Sequence, residues 1–176
     1  MVAVRDKKFQ LLISPEKLQE RIAVLGRQMN EEYKGKRPLF IVVLNGAFLF
    51  AGDLLKQIDI DCEITFTRFA SYAGTSSTGK VNMLMQLADN IKGKDIIIVE
   101  DIVDTGQTLY KFIPHLKLEK PASIKIASLL VKPKAIIKPV TIDYAGFEIE
   151  NEFVVGYGLD YDGLGRNLNG IYQLSE

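Results

Sequence analysis

Glu100, Asp101 and Asp104 crowd three carboxylates into five positions, directly behind the apolar run Ile96-Ile97-Ile98-Val99. Such a β-branched run reads as a strand buried on both faces of a parallel sheet. The carboxyl edge of an open parallel sheet is where α/β proteins bind ligands. Asp104-Thr105-Gly106-Gln107-Thr108 then opens a helix. Amide N–H groups at a helix start lack intrahelical partners, and with two hydroxyls and the helix dipole they make a cradle for phosphate. Phosphate by itself calls for no carboxylates, because like charges repel. Glu100 and Asp101 therefore need another task, either accepting hydrogen bonds from sugar hydroxyls or sitting beside a cation. The combination fits a sugar phosphate, and the bland alternative is an acidic turn that solvates the surface and caps a helix.

The elements that must hold these groups follow from hydrophobic periodicity. Ser14, Pro15 and Glu16 make a helix start. Leu18, Ile22, Leu25, Met29 and Tyr33 continue at helical spacing, with Gly35 as a stop. Residues 39–44 predict a buried strand, Asn45-Gly46 breaks it, and 47–56 read as a short helix before a second strand near 62–68. The Gly-, Ser- and Thr-rich stretch 71–80 reads as a loop of the kind that often forms a lid. A strand over 95–99, a polar turn over 100–106, a helix over 107–118 and a strand over 122–131 complete a strand–helix–strand unit. Leu109, Phe112, Ile113 and Leu116 give that helix its apolar face. Short connections of this kind predict a right-handed crossover and an α/β fold with a mainly parallel sheet. Shorter strands are expected at 153–157 and 171–174, on either side of a Gly-rich stretch that reaches Arg166.

Composition sets the outer bounds. A length of 176 residues predicts one domain over 1–176. Lys plus Arg number 22 and Asp plus Glu number 22, so the formal charge is zero and no basic face for nucleic acid is expected. No apolar run is long enough for a membrane span, and no secretory leader is evident at the start. The one cysteine, Cys62, has no internal partner, which fits a reducing, cytoplasmic setting. With one Cys and one His, His115, a dedicated zinc site is not expected. His115 reads as a helix-surface or packing residue and Cys62 as inert core.

Residues 97–108 resemble the phosphoribosyl-pyrophosphate motif of the type I phosphoribosyltransferases: an apolar run, two acids, two apolar residues, then Asp-Thr-Gly. Further stretches make the chain similar to the hypoxanthine-guanine phosphoribosyltransferases. These are Leu44-Asn45-Gly46-Ala47, Arg68 with Ser71-Tyr72, and Leu130-Val131-Lys132. The longest is Asp143-Tyr144-Ala145-Gly146-Phe147-Glu148-Ile149, which continues to Phe153-Val154-Val155-Gly156-Tyr157-Gly158-Leu159-Asp160-Tyr161 and a following Arg166. The resemblance spans roughly residues 10 to 175. It implies an open, mainly parallel twisted sheet flanked by helices, with a core of about 15–158. A small hood built from about 1–14 and 159–176 would lie over the carboxyl edge.

The activity implied is purine salvage: N9 of hypoxanthine or guanine displaces pyrophosphate from the ribose C1 of phosphoribosyl pyrophosphate, giving IMP or GMP. Oxocarbenium character in the sugar and negative charge on the leaving group must both be stabilised, chiefly by preorganised electrostatics. By the same resemblance, Glu100 and Asp101 hold the ribose hydroxyls, and Asp104, Thr105, Gly106, Gln107 and Thr108 hold the 5′-phosphate. Asp104 is the implied proton acceptor at purine N7. Leu44, Asn45, Gly46 and Arg68 belong to the pyrophosphate side, and Ser71 and Tyr72 to a lid that excludes water. Lys132 would donate to the purine C6 oxygen; an ammonium has donors only and cannot accept from adenine's amino group. Phe153 would stack on the base, and the backbone of Val154 would read its edge, with Asp160 also on the purine side. Asp160, with Glu100 and Asp101, is the implied carboxylate set for Mg²⁺, and Arg166 would bind pyrophosphate oxygens. The resemblance further implies a homodimer or homotetramer and no nucleic-acid or membrane partner.

The chain departs from the family's usual Leu-Lys-Gly-Gly, carrying Asn45 for Lys and Ala47 for the second Gly, and Gln107 stands where many relatives have Lys. By analogy with the family, the Leu44–Asn45 bond is expected to be cis. Two rival readings stay open at this point, a non-enzymatic sensor of phosphoribosyl pyrophosphate and an enzyme preferring xanthine.

Overall fold

In chain order the elements are β1 (Val2–Val4), β2 (Lys7–Ile13), α1 (Pro15–Glu32), β3 (Leu39–Leu44), α2 (Phe48–Leu55), β4 (Glu63–Phe69), β5 (Met83–Met85), β6 (Asp95–Val103), α3 (Gln107–Leu118), β7 (Ser123–Val131), β8 (Tyr144–Glu148), β9 (Val154–Val155) and β10 (Ile171–Leu174). They come from a computed structural model that describes residues 1–69, the backbone of 83–85, and 90–175. Ser71 and Tyr72, and with them the expected lid, lie outside the described residues.

α1 forms where capping and periodicity agree. Ser14 Oγ accepts from Lys17 N at 3.4 Å, Pro15 takes the first turn, and Leu18, Ile22, Leu25 and Met29 are wholly buried. Each such side chain contributes about 1.5–3 kcal/mol when removed from water. Tyr33 closes the helix, its N–H donating to Met29 O, and Gly35 at φ +75° turns the chain toward β3.

The main sheet runs β5-β4-β3-β6-β7-β8 and is parallel throughout except for the β4–β5 pair at its edge. β3 and β6 are apolar on both faces because both faces are covered. Phe40, Val42, Ile97 and Val99 pack in one cluster with α1 and α2, while Leu39, Ile41, Ile96 and Ile98 pack in another with α3. Pairing of Val42 with Val99 and of Val103 with Val131 brings the strand ends to a common edge. The crossovers thereby deliver the Asn45-Gly46 turn, the start of α3 and Lys132 to one side of the sheet.

A second, antiparallel sheet, β1-β2-β10-β9, is built from both ends of the described chain around Phe9 and Val155. It also draws in Val154–Val155. Several boundaries differ from those the periodicity predicts. β1 and β2 are strands where the periodicity predicts no element. The strand expected over 153–157 is only Val154–Val155, because Gly156, Tyr157 and Gly158 take φ of +101°, +48° and +103°, which strand geometry cannot continue. β8 is an added edge strand beyond β7, with only Tyr144 buried. β4 begins at Glu63, one residue past Cys62, which is partly buried and carries a free thiol raised by burial above its ordinary value.

Candidate active site

β6 does not stop at Val99. It continues through Glu100, Asp101 and Ile102 to Val103, because β7 alongside is equally long and Glu100, Ile102 and Val103 find partners in Ser128, Leu130 and Val131. The polar turn expected from residue 100 therefore starts only at Asp104. The longer strand changes the electrostatics. Glu100 sits inside the sheet with 6% of its surface exposed, and Asp101 is half-buried beside it. Burial, then the charge of Asp101, raise Glu100 well above the usual carboxylate range. Burial likewise pushes Asp101 up to about 6, with the Arg166 guanidinium pulling down and Asp160 pushing up. A bound cation or hydroxyl donors would relieve this pair.

Asp101 has its folded value near 6 and its ordinary value at 3.8, so folding takes up a proton between those pH values. The ionised group costs stability above pH 6, and the cost is relieved as pH falls toward 4. In metal-free buffer at pH 8, Asp101→Asn is expected to be more stable than wild type by on the order of 2 kcal/mol. That gain shrinks toward pH 4, and thermal unfolding in EDTA at several pH values checks it. A gain that is constant with pH contradicts the assignment.

Asp101 is held from two sides. Its Oδ1 accepts from Ile102 N at 2.8 Å, and its Oδ2 occupies the space a side chain at Gly46 would need, 1.5 Å from the position of an added Cβ. The Leu44–Asn45 peptide is cis, and Asn45 is exposed. Gly158 in turn presses on Gly46, where a Cβ would lie 1.9 Å from the Gly46 carbonyl oxygen. Three segments distant in sequence thus meet at Gly46: the end of β3, the end of β6, and the loop after β9.

That loop carries Asp160 and Arg166 as an ion pair, Arg166 Nη2 to Asp160 Oδ1 at 2.6 Å. Arg166 Nη1 also donates to Gly158 O at 2.6 Å, and Asp160 Oδ2 accepts from Gly163 N at 2.6 Å. Both side chains are therefore oriented.

On the opposite flank, α3 is entered through Gly106 in the left-handed region (φ +76°), with no side chain capping the helix. Thr105 Oγ1 meets Gln107 N at 3.4 Å, and the Thr105 carbonyl accepts from Ile137 and Lys138 N–H. A cavity of about 280 Å³ opens here, lined by Val43, Leu44, Phe69 and residues 100–109. Lys132 N donates to Val103 O at 2.9 Å, which brings its side chain toward the same edge. Lys132 Nζ lies 3.4 Å from Asp104 Oδ2, with the lysine side chain 11% exposed and the aspartate 51%. The proposed base and the proposed purine donor thus share one site.

Phe153 keeps 44% of its surface exposed, backed by the ring of Tyr161 edge-on at 5.7 Å and by Phe9 at 6.2 Å. The sequence gives Phe9 no signal beyond its aromatic character, and it gives Tyr161 only a place at the end of the 153–161 motif. Val154 is buried in β9, opposite Gln173. Arg68, exposed near the end of β4, stands in register with Leu44. His115 stays on the exposed surface of α3, its Nδ1 2.7 Å from Lys111 O, and Cys62 lies before β4, away from the cavity lining. Among the described residues, no three Asp, Glu, His or Cys side chains gather tightly enough to hold a metal ion unaided.

Residues 13–162 match the phosphoribosyl transferase domain family. The hypoxanthine-guanine phosphoribosyltransferase of Lactococcus lactis is 44% identical over 165 residues, covering 93% of this chain and 90% of that protein. The bifunctional protein TilS/HprT of Listeria innocua is 45% identical over 160 residues, which cover 90% of this chain; the chain spans 25% of the length of that relative. Among solved structures, a hypoxanthine phosphoribosyltransferase from Staphylococcus aureus superposes with a TM-score of 0.91 at 40% identity, over 97% of this chain and 92% of that one.

Proposed function

Because the chain belongs to the phosphoribosyltransferase family, we propose that it moves a 5-phosphoribosyl group from phosphoribosyl pyrophosphate to N9 of hypoxanthine or guanine. The observation that carries this reading is the meeting of Asp104 and Lys132 at 3.4 Å beside the open start of α3. A phosphate seated on the amides of α3 puts the ribose over Glu100 and Asp101, and a base held by Lys132 then lies within reach of Asp104.

In the reaction the C1–N9 bond forms as the bond from C1 to the diphosphate oxygen breaks. Asp104 takes the purine proton, Lys132 donates to the C6 oxygen, Phe153 covers one face of the base, and the Val154 backbone reads its edge. Arg166, oriented by Asp160 and the Gly158 carbonyl, faces the departing pyrophosphate together with the Leu44-Asn45-Gly46 turn and Arg68. Ser71 and Tyr72 are assigned to closure over the site from their motif alone.

The raised proton affinities of Glu100 and Asp101 fit a site completed by a hard cation. Glu100, Asp101 and Asp160 are the carboxylates available to hold Mg²⁺, shared with oxygens of the substrate, where it would offset charge on the leaving group.

The expected assembly is at least a dimer, homodimer or homotetramer. The exposed Phe48, Ile64 and Phe66 on α2 and β4 support this. No helix among the described residues is long and apolar enough to cross a membrane. With the unpaired Cys62 this fits work in the cytoplasm.

The test supplies phosphoribosyl pyrophosphate and Mg²⁺ with hypoxanthine, guanine, xanthine or adenine in turn and measures released pyrophosphate. Release with hypoxanthine or guanine, and none with adenine, is expected. Absence of release with all four purines would reject the enzymatic reading in favour of a phosphoribosyl-pyrophosphate sensor, and preference for xanthine would reject the proposed specificity.

A further inference from the structure

We propose that Tyr157 is a positioning residue for this reaction, acting through Asp53 and Gln19 to lock the Asp160–Arg166 loop to α2 and so set its distance from the Asn45-Gly46 turn. The inference rests on the reading that this loop and turn hold the diphosphate. Tyr157 Oη donates to Asp53 Oδ2 at 2.5 Å, and Gln19 Nε2 donates to the same oxygen at 2.7 Å while lying 3.3 Å from Tyr157 Oη. Asp53 lies on α2, with Lys56 Nζ at 3.0 Å on its other oxygen. α1, α2 and the loop after β9 therefore converge on one carboxylate. Burial acts against the charge of Asp53, but the donors from Tyr157, Gln19 and Lys56 outweigh it and hold the group below its ordinary value.

The latch is one residue from Gly158 on the loop side and within the short helix α2 that follows Gly46 on the other. Tyr157 sits with φ +48° between two glycines, so the backbone is bent to deliver its ring into the core, where it is 5% exposed. Its neighbour Gly158 bonds Arg166 twice, by N–H to Arg166 O at 2.9 Å and by its carbonyl to Arg166 Nη1 at 2.6 Å. Gly158 also presses against Gly46. At the other end, α2 grows directly out of the Gly46 turn: Ala47 N reaches back to Val43 O, and Ala51 N bonds Ala47 O at 2.8 Å. The hydroxyl of Tyr157 thus ties together the two backbone segments assigned to the diphosphate, and nothing in this contact touches the base side, where Lys132 and Phe153 lie.

The test is Tyr157→Phe, which keeps the buried ring and removes only the hydroxyl, while Asp53 retains Gln19 and Lys56. KM for phosphoribosyl pyrophosphate, and KM for pyrophosphate in the reverse reaction, are expected to rise about tenfold, with KM for hypoxanthine within about twofold of wild type. Asp53→Asn keeps an acceptor oxygen for Tyr157 and is expected to show a smaller rise, about threefold. Tyr144→Phe removes a comparable hydroxyl, bonded to Glu32 at the far edge of the sheet; it is expected to lower Tm and leave both KM values unchanged. The proposal is overturned if diphosphate constants in Tyr157→Phe stay at wild-type level, if the hypoxanthine KM rises equally, or if Tyr144→Phe reproduces the shift. Unchanged diphosphate constants in Arg166→Gln would instead overturn the functional reading beneath it.

Discussion

Asp104→Asn is expected to turn over about 10² to 10⁴ times more slowly than wild type, the range set by loss of a positioned general base. Affinity for phosphoribosyl pyrophosphate should stay within about threefold, because Asn preserves shape and hydrogen bonding at the mouth of α3. The amide oxygen can still accept from Lys132, 3.4 Å away in the native site, so neither side chain loses its place. What is lost is the capacity to take a proton. Single-turnover rates and direct titration of the ribosyl donor separate the two quantities. Equal losses in both would reduce Asp104 to a phosphate-loop residue.

Gly46→Ala should be nearly as damaging, for a steric reason. The added methyl group would stand 1.5 Å from Asp101 Oδ2 and 2.4 Å from its carboxyl carbon, distances no side chain adopts. Either Asp101 swings away or the turn retreats toward Gly158, which already presses on the Gly46 carbonyl. Both routes move a group assigned to the substrate by roughly an ångström, and such displacements cost about 10²-fold in rate. The loss should fall on kcat/KM for phosphoribosyl pyrophosphate, with the fold intact by circular dichroism. A variant with wild-type kcat/KM would show that Asp101 need not stand where it does.

The parallel sheet and its helices were legible because β3, β6, α1 and α3 bury all of one face or two, so their apolar patterns are unambiguous. The second sheet was not legible. Strict alternation over 7–13 would turn Phe9, Leu11 and Ile13 inward, yet Leu11 is 49% exposed. β2 finds its partner β10 only at the other end of the chain, which no local pattern reveals. Asp104 and Lys132 could be paired in advance because motif order links them. The contact of Gly46 with Asp101, and that of Tyr157 with Asp53, depend on how strands register and loops meet, and residue types carry no mark of either. The length of β6 was misjudged for a related reason: Glu100 and Asp101 look like turn residues, and only β7 alongside keeps them in the ladder.

Leu174 pairs with Phe9 and Ile171 with Ile13, so the first long strand of the chain closes on the last. A ribosome releasing this polypeptide in order would expose β3, α2, β6, α3 and β7 long before residue 174 emerged, and the parallel layers can assemble on the nascent chain. Phe153, whose carbonyl accepts from Leu174 N at 2.9 Å, must wait. The half assigned to phosphate would thus take shape during synthesis, while the Phe153 side of the proposed base site is finished only after the final strand arrives.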